Sequence, residues 1–149
     1  MIEYVKADIL TDLDPDKKTV VIHGCNCLHT MGAGIAKYLK QKYPLVLVVD
    51  KDTPYGKRTK LGTLSIAGIH ANLHIVNCYT QFDYRRSAKQ PPVDYHAISK
   101  CLKRVLYLYK GWEIRSPKIG CGLAGGDWSK VEPMFNDILA LEQVKIFEI

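Results

Sequence analysis

The chain has 149 residues, 47% of them apolar and 24% charged, and folding at this length buries roughly 70% of the unfolded surface, enough for a core without disulfide or metal staples. No run of about 20 apolar residues exists, and Glu3, Lys6 and Asp8 stand where a signal peptide would be apolar, so membrane insertion and secretion are not expected. The net charge of +6 points to a polyanion or a phosphorylated small molecule as partner, and five cysteines without a Cys-x-x-Cys pair point to free thiols in the cytoplasm.

Ile2 to Val5 fits a first strand. Thr19-Val20-Val21-Ile22 is a continuous β-branched run, the pattern of a strand covered on both faces, and it stops at His23-Gly24. After Gly34, the residues Ile35, Ala36, Leu39 and Tyr43 share one helical face while Lys37, Lys40 and Lys42 occupy the other, and Pro44 ends the helix. Leu45 to Val49 is strand-like in composition yet crowds the preceding helix, which leaves it ambiguous. Strands fit Leu64 to Ala67 and Leu73 to Tyr79. Ser87 to Pro92 is the one linker-like stretch, too short to separate domains, so a single domain spanning 1–149 is expected.

Asp94 is placed to cap a helix in which Ile98, Cys101, Leu102, Val105, Leu106 and Tyr109 keep a 3.6-residue period and Lys100, Lys103 and Arg104 face outward; Gly111 stops it. A strand at Trp112 to Arg115 follows. A third helical face is formed by Val131, Phe135, Ile138 and Leu139, with Ser129 and Glu132 spaced as a capping box and Pro133 expected in its first turn. Val144 to Phe147 closes the series. Strands alternating with helices predict an α/β sheet with helices on both faces and a ligand site at the carboxyl ends of the strands.

Two glycine-rich loops occupy such strand-to-helix positions. Met31-Gly32-Ala33-Gly34-Ile35-Ala36 is one; Gly120 to Trp128, with four glycines in seven residues, is the other. Glycine lets backbone approach a phosphate, and N–H groups at a helix start point toward it, so the pair suggests a diphosphate gripped from both sides. Neither loop is followed by Gly-Lys-Ser/Thr, and the dinucleotide Gly-x-Gly-x-x-Gly spacing is absent. His23, Cys25, Cys27 and His29 alternate at period two, but in an extended strand their ends lie about 20 Å apart, too far for one tetrahedral ion. No metal or cofactor is expected. Cys78, Cys101 and Cys121 read as small core residues.

The succession Ala7-Asp8-Ile9-Leu10, His23-Gly24-Cys25-Asn26-Cys27, Met31-Gly32-Ala33-Gly34-Ile35-Ala36, Lys60-Leu61-Gly62-Thr63 and Gly120-Cys121-Gly122-Leu123 resembles the macrodomain family. It looks like the small stand-alone branch related to ADP-ribose-1''-phosphate phosphatases and terminal ADP-ribose glycohydrolases. The resemblance implies a three-layer α-β-α fold with a mixed central sheet and a cleft for ADP-ribose. By position, Asp8 would accept the adenine amino group, Ile9 would supply backbone contact, and Phe147 would lie against adenine. Asn26 would touch the distal ribose, while Gly32, Ala33, Gly34, Ile35 and Ala36 with Gly120, Cys121, Gly122, Leu123 and Ala124 would wrap the diphosphate.

The glycohydrolase branch resembled here carries a lysine at the end of the central strand and an aspartate after Gly-x-Gly-Leu; this chain has Gln81 and Ala124. A lysine-linked sugar intermediate is therefore not expected. His23 as nucleophile or general acid, Asn26, and Asp127 orienting the attacking water are the expected catalytic set for hydrolysing ADP-ribose-1''-phosphate to ADP-ribose and phosphate. A His23 satisfied inside the fold and an Asp127 that only caps the Trp128 helix are the bland alternatives. Other readings are removal of ADP-ribose from modified protein or DNA, and a non-catalytic ADP-ribose reader; general RNA binding ranks last, since no RRM-like signature is present. A monomer is expected, with the basic excess serving the cleft.

Overall fold

The computed structural model describes residues 2–84, 92–122 and 124–148. The linker-like stretch from Ser87 and the cluster Arg85, Arg86 and Lys89 lie, apart from Pro92, outside them, as does Leu123. Six strands, β1 (Ile2–Lys6), β2 (Thr19–Cys25), β3 (Leu64–His70), β4 (Leu73–Tyr79), β5 (Glu113–Ser116) and β6 (Gln143–Glu148), form one sheet in the order β1-β6-β5-β2-β4-β3. All neighbours run parallel except β3, which returns antiparallel to β4. The sheet is therefore mixed. No helix among the described residues is long and apolar enough to cross a membrane.

Helices α1 (Gly34–Lys42) and α2 (Leu45–Lys51) cover one face, and α3 (Tyr95–Tyr109) and α4 (Trp128–Ile138) cover the other. The alternation of β2 decides this layering. Val20 and Ile22 enter the core with Ile98, Leu102, Val105, Val131 and Phe135, while Val21 and Cys25 enter the opposite core with Leu39 and Val46. Parallel strands buried on both faces explain why the sequence shows continuous apolar runs instead of alternation.

Three local expectations change. Leu45 to Val49 is helical: Val46 and Asp50 are buried one turn apart, while Val48, which would share their face in a strand, is exposed. The capping box at Ser129 and Glu132 does not form: Asp127 caps α4 by accepting from Ser129 N at 2.9 Å, and Glu132 instead accepts from the Tyr4 hydroxyl. Pro133 consequently stands inside the helix, beyond its first turn. Finally, β2 continues three residues past Ile22, to Cys25, and this extension determines where His23 points.

Candidate functional site

Strands β2, β4 and β5 are parallel neighbours, so their carboxyl ends open on one edge, and a cavity of about 790 Å³ lies there. Its walls are the two glycine loops. The first contributes Asn26, Thr30 and Met31 through Ala36; the second contributes Pro117 through Gly120 with Gly122 and Ala124; Gly24, Cys25, Gln81 and Tyr84 complete the lining. The loop after β2 is folded on the Asn26 amide, whose Oδ1 accepts from Leu28 N at 2.9 Å while Nδ2 donates to Thr30 Oγ1 at 2.6 Å. That loop is tied down at its flank as well: Cys27 N donates to Phe82 O, and Gly56 N to Cys27 O.

The helices differ in how they begin. Asp94 and Asp127 close α3 and α4 with side-chain acceptors, whereas Ala33 at the start of α1 provides none. The first turn of α1, with Gly34, Ile35 and Ala36 in the cavity lining, thus brings the positive end of a helix dipole without a side-chain cap to the cavity wall, a place that stabilises an anion. Opposite, the second loop folds on itself through Gly126 N to Gly120 O at 2.6 Å and Gly125 N to Gly122 O at 3.0 Å.

Glycine serves two purposes in these loops. A Cβ built on Gly32 or Gly122 meets nothing within 4 Å, so their missing side chains leave room for a ligand. On Gly126 it would lie 2.4 Å from Gly120 O, so that glycine is required by the fold.

Lys118 is the one charged side chain among the described lining residues, and it pairs with Glu148, whose hydrogen bond holds the lysine pKa above its ordinary value. The expectation that the basic excess serves this cleft is therefore corrected. Apart from Lys118, the described lining offers an anion only polar side chains and backbone dipoles.

Of the residues expected at the site, Asn26, Gly32, Ala33, Gly34, Ile35, Ala36, Gly120, Gly122 and Ala124 are gathered around the cavity. Cys121, Asp8, Ile9 and Phe147 are not part of its lining. Asp8, beyond β1, accepts from Leu10 N at 2.8 Å and hydrogen-bonds Tyr38 of α1, which raises that tyrosine to about 12. Ile9 and Phe147 are buried in the core beneath α1, and the Arg115 guanidinium lies 4.9 Å from the Phe147 ring centre while donating to Ile9 O and Thr11 O. These residues form a neighbourhood beside the cavity, joined to it through α1.

His23 and Asp127 are corrected. His23 is fully buried two residues inside β2, on the face toward α2, and does not reach the cavity. Asn77 Nδ2 donates to Val46 O and Ser65 Oγ, so its Oδ1 is the acceptor for His23 Nε2–H at 2.6 Å. Burial pushes the imidazole down to about 4 despite that bond. The network continues from Ser65 to Tyr79 OH at 2.7 Å and from Tyr79 OH to Asp50 Oδ1 at 2.6 Å, with Lys60 Nζ 4.0 Å beyond. Asp127 is an exposed cap whose Oδ1 accepts from Ser129 N and Oγ, bonds that hold its carboxyl below the ordinary value. Neither residue lines the cavity.

No family model matches the chain. It is 33% identical over 140 residues to an uncharacterised 17.5 kDa protein of the tk-vs intergenic region of Enterobacteria phage T4, covering 89% of this chain and 86% of that one. It is 26% identical over 147 residues to an ADP-ribose 1''-phosphate phosphatase of Candida albicans, covering 89% and 90%. A DNA ADP-ribosyl glycohydrolase of Mycobacterium tuberculosis is 30% identical over 141 residues, but the chain spans only 37% of that protein's length. Among solved structures, a macrodomain protein from Streptomyces coelicolor superposes with a TM-score of 0.77 at 25% identity, over 100% of this chain and 99% of the other.

The chain belongs to the macrodomain family.

In this macrodomain, Gln81 and Ala124, which replace the lysine and aspartate of the glycohydrolase branch, both face the cavity. Gln81 is anchored by Nε2 donating to Asp83 O at 2.9 Å. The macrodomain cleft thus presents amide, hydroxyl and backbone dipoles, with Cys25 lining it as a thiol whose pKa burial raises well above the ordinary value. Lining residues not among those expected at the site are Gly24, Cys25, Thr30, Met31, Tyr84 and Pro117 to Ile119, while Gln81 stands where the resemblance put the lysine of the glycohydrolase branch. Their one shared signal is adjacency to a strand's carboxyl end.

Proposed function

We propose that this macrodomain binds ADP-ribose and hydrolyses ADP-ribose 1''-phosphate to ADP-ribose and phosphate. The observation that carries the reading is the pair of glycine loops facing one cavity, with the α1 N-terminus uncapped by a side chain and Asn26 at the floor. Such a cleft suits a diphosphate with sugars at either end. The size match to the Candida albicans phosphatase supports the finer assignment.

Hydrolysis breaks the bond between phosphorus and the anomeric oxygen. Water adds its oxygen to phosphorus, and the anomeric oxygen leaves as a hydroxyl, taking up a proton. Backbone N–H groups of both loops, with Lys118, supply donors and charge for the transferring phosphoryl oxygens, and Asn26 holds the first loop in the shape that presents them. No histidine or carboxylate lines the described cavity, so proton transfer passes through water and the reaction depends on positioning. The purified protein should release phosphate from ADP-ribose 1''-phosphate, and Asn26→Ala should cut that release at least tenfold. Release by wild type no faster than by that variant would remove the phosphatase reading.

The likeness to the Mycobacterium tuberculosis glycohydrolase favours a second reading, removal of ADP-ribose from modified DNA. Gln81 and Ala124 speak against it. Cleavage of ADP-ribosylated thymidine with no phosphate release would reverse the order.

A further inference from the structure

The basic residues missing from the cleft are concentrated elsewhere. From position 53 to 112 the chain has ten Lys and Arg against Asp83 and Asp94 alone. Within the described residues, a second groove of about 630 Å³ runs between α3 and β3, the strand at the sheet edge. Lys100, Lys103 and Arg104 form its cationic wall at helical spacing, and Leu64 and Ile66 form its apolar floor. Tyr107, one turn further along the same face, is 87% exposed, and no acidic side chain lines the groove.

We propose that this groove binds single-stranded nucleic acid. Three cations on one face of a helix attract the phosphates of an extended strand, and the open Tyr107 ring beside them offers a surface on which a base stacks. An apolar floor under a cationic wall suits a polymer with bases on one side and phosphates on the other; an acidic peptide would satisfy the charges but not the floor or the ring. Gly62 has φ +84°, and a Cβ there would stand 3.0 Å from the Lys100 side chain, so that lysine stem lies across the turn. The sequence lacks a recognisable RNA-binding signature because the site is assembled from a helix face and an edge strand. This inference is independent of the ADP-ribose reading, since no residue is shared between groove and cleft.

The test is fluorescence anisotropy of a short fluorescein-labelled oligothymidylate, titrated with the full chain at several salt concentrations. Wild type should bind with a log–log salt slope of roughly −2, from three cations at about 0.7 each. Lys103→Glu with Arg104→Glu should weaken binding at least tenfold and bring the slope toward roughly −0.7. Tyr107→Ala, at an exposed position where folding is not at stake, should weaken it about tenfold with the slope unchanged. Excess free ADP-ribose should leave the oligonucleotide bound. The proposal is overturned if wild type does not bind, if ADP-ribose displaces the oligonucleotide, or if polyglutamate binds as tightly. It is equally overturned if Tyr107→Ala has no effect. Thermal unfolding of each variant confirms that a loss of binding is not a loss of fold.

Discussion

Gly32 and Gly126 look alike in the sequence and have opposite roles in the molecule. Open space surrounds the missing Cβ of Gly32, whereas that of Gly126 would press on the Gly120 carbonyl at 2.4 Å, a backbone atom that cannot turn aside. Gly126→Ala should therefore cost about 1–3 kcal/mol, the usual range for overpacking, while Gly122→Ala should stay within about 0.5 kcal/mol. Urea denaturation of the two variants measures both. The loops themselves were legible as glycine clusters between a strand and a helix. Which glycines make room for a ligand was not, because that depends on what packs behind each Cα, and Val93 and Gly120 arrive there from distant positions or by a chain reversal.

At the scale of elements, capping separates the helix that faces the cleft from those that close the fold. Asp94 was readable as a cap because an apolar 3.6-residue period begins directly after it, and Ala97 N donates to its Oδ1 at 3.0 Å. Asp127 was harder to place, since Ser129 and Glu132 offered a competing motif that Tyr4, 128 residues away from Glu132, draws off. Asp127→Ala should lower stability by about 1 kcal/mol and leave phosphate release from ADP-ribose 1''-phosphate unchanged. Loss of turnover with the fold intact would return Asp127 to the chemistry. The strand β2 shows how a boundary alters a functional assignment. Ending it at Ile22 leaves His23 at the sheet's carboxyl edge; continuing it to Cys25 seals His23 under α2 and hands the edge to Cys25 and Asn26.

Across the whole molecule, the sheet divides two apolar cores and carries a buried polar chain, from His23 through Asn77, Ser65 and Tyr79 to Asp50. No motif in the sequence announced it, because its members come from β2, β4, β3 and α2 and are joined only by the fold. The layered fold class, by contrast, followed from local runs and periods that tertiary packing left intact. His23 makes the polar chain sensitive to acid. Its folded pKa, about 4, lies below the ordinary 6.5 of an unfolded histidine, so the unfolded chain binds the extra proton. The contribution is fully present above pH 6.5 and is lost as pH falls toward 4, by on the order of 3 kcal/mol. Denaturation midpoints between pH 7.5 and 4 should fall more steeply for wild type than for His23→Gln. Identical profiles would mean that His23 is not the group being titrated.

Every functional assignment made for the cleft depends on ADP-ribose occupying the cavity between the glycine loops. Gly32→Glu tests this most directly, because the new side chain enters open space and leaves the surrounding packing untouched. Calorimetric titration with ADP-ribose should give a saturable binding isotherm for wild type and none for Gly32→Glu, with the two proteins unfolding at the same temperature. An isotherm for the variant equal to that of wild type, or none for wild type, would contradict it.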